Sequence, residues 1–180
     1  MASLQDINKK FTDEVQYVDD LAQIVLKGHL VMEDLMTEAL QTFFLHGEFI
    51  EAARLQFHQK LSLCRGISTS EHQNRMWSLI ASVNTLRNAL SHSLDPDRRA
   101  KAIQSVRTIY EQEFGDMPNS DKGIPKDIEP EFPKDSALCL YAISVSLGYL
   151  HAFLEEVKRL KSVIVSIDAV MNKGELAKAR

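Results

Sequence analysis

Apolar residues recur along this chain at helical spacing, and strand-like alternation bounded by turns is convincing nowhere. Leu4, Ile7 and Phe11 are spaced by three and four. Leu21, Ile24 and Val25 continue the pattern, followed by Met32, Leu35, Met36, Ala39, Leu40 and Phe43. This predicts helix from about Leu4 to Leu45. Gly28 favours a break or kink near Lys27–Gly28, because an interior glycine costs a helix about 1 kcal/mol. A short helical piece follows near Phe49 to Leu55. Phe57 to Arg65 is the next helix, stopped by Gly66 in the left-handed C-terminal role. Ser68-Thr-Ser-Glu71 reads as a capping box. It leads into a helix carrying Met76, Leu79, Ile80, Val83, Leu86 and Leu90 and ending near Ser91. Asp95 and Pro96 start another, as N-cap and first helical residue. Ile103, Val106, Ile109, Tyr110 and Phe114 line that helix, and Gly115 stops it.

Four of the five prolines fall between residues 115 and 135, which reads as a long loop. The last helix begins at Asp135 or Ser136 and reaches about Met171. Its first 19 residues, Ser136 to Leu154, carry no Asp, Glu, Lys or Arg. That length would just span a bilayer. Ser136, Ser144, Ser146, Gly148 and His151 dilute its hydrophobicity, so the reading is a central helix buried in a bundle or dimer interface, with no membrane partner. The pattern predicts an all-α fold: one helical domain of five to seven helices over residues 1–180.

At 180 residues the chain is long enough for a sizeable core. Lys and Arg number 21 against 25 Asp and Glu, a net charge of −4. This excludes generic DNA coating, which needs an excess of basic residues, but leaves room for a local nucleic-acid site. Two cysteines, Cys64 and Cys139, make neither a disulfide framework nor a metal-ligand pattern. They fit buried positions in a reducing compartment, and the polar N-terminus has no apolar signal core. The expected location is therefore cytoplasmic.

One string carries candidate chemistry: Thr85-Leu-Arg-Asn-Ala-Leu-Ser-His-Ser93. Arg87, followed directly by Asn88, precedes His92 at the end of one helix and before the next. This resembles the HEPN superfamily of helical domains, whose signature is Arg, a short spacer and His, often with a polar residue after the Arg. Phe57-x-x-Lys-Leu-x-Leu-Cys-x-Gly66 and Gly28-His-Leu-Val-Met-Glu-Asp-Leu35 are similar to its mannitol operon repressor-like branch. The resemblance covers roughly residues 20 to 115, with the final helix, about 135 to 172, added to that core. It implies a homodimer built around the helix carrying Arg87 and His92. It also implies RNA as a partner, with either metal-independent endoribonuclease activity of toxin or defence type, or RNA binding without cleavage. An antitoxin or another protein partner would accompany the first; a non-catalytic regulatory or interaction module is the alternative. No cofactor is expected.

The chemistry is consistent with those residue types. In metal-independent cleavage the ribose 2′-hydroxyl attacks the adjacent phosphate, a step that DNA cannot support. His92 is the general acid or base by its near-neutral pKa. Arg87 binds phosphate with its fork and stabilises transition-state charge. Asn88 orients the phosphate or His92. On a continuous helix, however, five steps of about 100° set Arg87 and His92 roughly 140° apart. They meet only if the chain turns back at the helix end or if two chains share a site. The structural alternative is that Arg87 ties down the helix end and His92 donates to the last carbonyls.

Other candidates are weaker. Glu33 or Asp34 is the supporting acid that the resemblance implies near Arg87. Arg98, Arg99 and Lys101 follow the motif closely and are candidate RNA-phosphate contacts. His29 and Glu33, spaced i, i+4, share a helix face, but no further ligands are placed beside them and no metal is expected. Lys9-Lys10 and Lys158-Arg159-x-Lys161 read as solvated helix faces, and Trp77 as core.

Overall fold

A computed structural model describes residues 5–6, 9, 21–69, 74–92, 95–115 and 134–171. Every element among the described residues is helical: α1 (Leu21–Phe43), α2 (Glu48–Ala52), α3 (Phe57–Ile67), α4 (Met76–His92), α5 (Pro96–Phe114) and α6 (Lys134–Met171). The expected elements N-terminal to residue 21, the Glu71 end of the capping box and the segment 116–133 lie outside the described residues, apart from helical positions at 5, 6 and 9.

The local signals act where they were expected at α5. The Asp95 carboxylate accepts the Asp97 N–H at 3.0 Å, Pro96 opens the helix, and Gly115 closes it at φ 80°. At the start of α4 the observed cap is Asn74, whose Oδ1 accepts the Met76 N–H at 2.8 Å. A reciprocal partner at the start of α3 is Gln59, whose Oε1 accepts the Gln56 N–H at 2.8 Å.

Two glycines behave differently from their sequence reading. Gly66 does not end α3 in a left-handed conformation; the helix runs on to Ile67, which packs partly against the core. Gly28 does not break α1, which is continuous from Leu21 to Phe43. The reason is tertiary. A Cβ at position 28 would stand 2.6 Å from Cγ2 and 2.7 Å from Cδ1 of the fully buried Ile143 on α6. Glycine is there so that two helices can approach closely. Gly28→Ala is expected to destabilise the fold by about 1–3 kcal/mol, overriding a helix-propensity gain of about 1 kcal/mol. In urea titrations, Gly28→Ala and Ile143→Ala together should cost less than the sum of their separate effects.

α6 lies alongside α1 and runs in the same direction. Gly28 meets Ile143, Glu38 pairs with Lys158 at 3.3 Å, and the Phe44 carbonyl accepts from Lys161 at 3.0 Å. α4 packs against α1, α3, α5 and α6, and α5 closes the other side against α6. Leu138, Ala142, Ile143, Leu147 and Leu150 of α6 share one buried cluster with Ile24, Met32 and Met36 of α1 and with Trp77, Ile80 and Leu86 of α4. The span Asp135–Ile167 is long and apolar enough to cross a membrane by length and composition, yet half of its most apolar window is buried inside the bundle. Both cysteines are buried, and desolvation pushes each thiol up to about 12. At neutral pH they are packing groups rather than nucleophiles.

Candidate functional site

Arg87 and Asn88 of the motif face a junction of three helices. Asn84, Arg87 and Asn88 recur on α4 at three and four residues, the spacing of one helix face. His29 and Glu33 stand one turn apart on α1, and Phe57 and Lys60 stand one turn apart on α3.

His29 is the centre of this junction, only 4% exposed. Its Nε2 lies 2.9 Å from the Asn84 Oδ1, and its ring stacks on Phe57 with centroids 4.1 Å apart. Burial lowers its pKa from 6.5, chiefly by desolvating the charged form. The Asn84 hydrogen bond and Glu33 oppose that shift, while Arg87 and Lys60 reinforce it. Its neutral ring therefore carries its proton on Nε2 and donates to Asn84. Glu33 stands 4.0 Å from the other ring nitrogen and is held by Lys60, whose Nζ donates to its Oε1 at 2.8 Å. Arg87 is half-buried; its Nη1 donates to the Asn88 Oδ1 at 3.2 Å, and its Nε is buried with no hydrogen-bond partner among the described residues. With His29 neutral, two cations face one carboxylate, and the junction keeps a surplus positive charge.

The state of His29 has a measurable consequence. The unfolded ring takes a proton as pH falls below 6.5, while the folded ring resists until a lower pH. Stability is therefore full above that value, falls as pH drops beneath it, and levels off once the folded state is itself protonated. Urea midpoints measured from pH 7.5 to 5 should fall more steeply for the wild type than for His29→Gln.

The structure brings Arg87, Asn88 and Glu33 to this junction, but it does not gather all of the expected residues. Asp34, one helical step from Glu33, is exposed. His92 is the last residue of α4, on the same continuous helix as Arg87, so the backbone register keeps the two about 140° apart. The His92 side chain is outside the described part of the structure. Arg98 and Lys101 are exposed and line a groove of about 410 Å³ with Thr85 and Ala89. Those two residues flank Arg87 at two positions on either side, so the groove lies on the opposite face of α4. Arg99 lines a different groove, of about 300 Å³, beside Arg107 and Asp135, which pair at 3.1 Å. The three basic residues thus do not extend the Arg87 site. Lys158, Arg159 and Lys161 are engaged by Glu38 and Glu155, by the Glu155 carbonyl and by the Phe44 carbonyl, respectively. Among the described residues no three His, Cys, Asp or Glu side chains gather as a metal set.

Asn84, Phe57 and Lys60 are the members that sequence reasoning missed. The signal for Asn84 was its place three residues before Arg87. The pairing of Lys60 with Glu33 joins residues 27 apart and has no local signature. Comparison with protein-family models, curated proteins and solved structures gave no significant match.

Proposed function

We propose that the chain is one HEPN-like helical domain that binds single-stranded RNA, with Arg87 taking a backbone phosphate and Asn88 holding the guanidinium. One observation carries this reading: a half-buried guanidinium whose Nε–H is buried without an acceptor, in a junction with surplus positive charge. A charged donor left without an acceptor is costly, and turning the guanidinium fork outward to a phosphate oxygen relieves it. Single-stranded RNA fits because its backbone is accessible without entering a duplex groove. Cleavage is the less supported half of the expectation. It needs His92 beside Arg87, and the register of α4 separates them in one chain.

A labelled single-stranded RNA incubated with the full chain in EDTA tests this. The expected result is a shifted band on a native gel and intact RNA on a denaturing gel. Products ending in a 2′,3′-cyclic phosphate, lost in His92→Ala, would replace binding by the endoribonuclease reading.

A further inference from the structure

We propose that the end of α6 is a homodimer interface, in which it pairs antiparallel with the same segment of a second copy. α6 carries an apolar seam with heptad spacing. Cys139, Ile143, Ser146, Leu150, Phe153 and Val157 alternate at steps of four and three, and all are buried within the chain. The same steps continue through positions 160, 164, 167 and 171. There the seam loses its cover among the described residues. Leu160 is 39% exposed, Ile164 41% and Ile167 54%. The cause is length: α1 ends at Phe43, and the next carbonyl is held by Lys161. α6 runs ten residues further, to Met171, an overhang of roughly 15 Å.

A seam that continues a buried one in register is built to be covered by another helix. The overhang is self-complementary in one direction. If two copies run antiparallel, Ile164 falls opposite the second copy's Ile167, and Leu160 opposite its position 171. The flanking positions then match as well. On either side of the seam, Lys161 comes within two residues of level with the second copy's position 168, an aspartate, and Val163 within two of position 170, a valine. Each pairing occurs twice about the two-fold axis, as an isologous interface requires. The Lys161 ammonium has donors to spare beyond its bond to the Phe44 carbonyl.

The neighbouring surface supports the same occupant. Leu45 is 76% exposed and Phe49 67% exposed, on the turn and short helix that follow Phe44. The second copy's helix tip reaches that turn in the antiparallel arrangement. It would cover apolar side chains that otherwise face water beside Lys161.

This dimer is not the one that the HEPN resemblance implies. Trp77 at the start of α4 meets Tyr149 and Phe153 of α6, while Asn84 meets His29 next to the Gly28–Ile143 contact. α4 therefore runs away from the overhang, and pairing there leaves the two Arg87 sites far apart. The inference stands independently of RNA binding.

Sedimentation velocity on the full chain at micromolar concentration tests it. The wild type should be a dimer. Ile164→Asp should weaken it on the order of 10²-fold or more, because one charge per chain would be buried without a partner. Ile164→Leu should keep it, and so should Leu30→Asp, at a 59% exposed apolar position on α1. Lys161→Asp should weaken it several-fold, and Lys161→Asp with Asp168→Lys should restore it. Circular dichroism checks that each variant is folded. A monomeric wild type would overturn the proposal, and one that instead cosediments with phosphatidylglycerol vesicles would assign the strip to a lipid surface. A dimer that survives Ile164→Asp would place the interface elsewhere. Failure of the charge exchange to restore the dimer would overturn the antiparallel register.

Discussion

Replacing Trp77 with alanine is expected to destabilise the protein by about 3–5 kcal/mol, the range for deleting a large aromatic from a packed core. Trp77 is fully buried and stands edge-on to Tyr149 at 5.0 Å and to Phe153 at 5.2 Å between ring centroids. These contacts join the start of α4 to the middle of α6, so the cavity would open between those two helices. Its Nε1 has no hydrogen-bond partner among the described residues, so the loss is one of volume and contact rather than of a polar bond. Trp77→Phe should accordingly cost less than half as much. Urea denaturation at neutral pH gives both values. A cost below about 1 kcal/mol for Trp77→Ala would show that α4 and α6 can close on each other, contrary to a rigidly packed core.

Arg87→Ala should weaken binding of single-stranded RNA by roughly 10- to 100-fold, the worth of one or more charge-assisted hydrogen bonds to phosphate. Arg87→Lys should fall between, since lysine keeps the charge and loses the fork. The same substitution separates function from structure. If Arg87 only tied the helix together, its removal would lower stability. On the present account its Nε is already an unsatisfied buried donor, so alanine leaves the urea midpoint nearly unchanged. Fluorescence anisotropy with a labelled RNA and a parallel urea titration give the two answers.

Much of the fold is written locally in the sequence. α5 begins and ends where Asp95, Pro96 and Gly115 place it, and α6 spans Lys134 to Met171, close to the expected limits. These ends are fixed by backbone chemistry within a few residues, which a sequence displays directly. Gly28 was misleading for the opposite reason. Its role is set by Ile143, more than a hundred residues away, and packing overrides propensity there. Gly66 fails similarly, because Ile67 gains by remaining helical and reaching the core.

The candidate site divides along the same line. Arg87–Asn88 and His29–Glu33 were legible because each pair lies on one helix. The link between them was not, since it depends on how α1, α3 and α4 meet. Nothing local announces that Asn84 holds His29 or that Lys60 occupies Glu33. Arg98, Arg99 and Lys101 show the converse. They follow Arg87 closely along the chain, yet on α5 they line grooves on other faces.

The salt dependence of RNA binding tests the central claim most directly. Each phosphate neutralised by a single-stranded RNA ligand contributes about −0.7 to the slope of log K against log salt. Wild type and Arg87→Ala should both give straight lines, with the slope of the variant shallower by about 0.7. Equal slopes and equal affinities, or no RNA binding by the wild type, would contradict the assignment of Arg87 as the phosphate-binding residue.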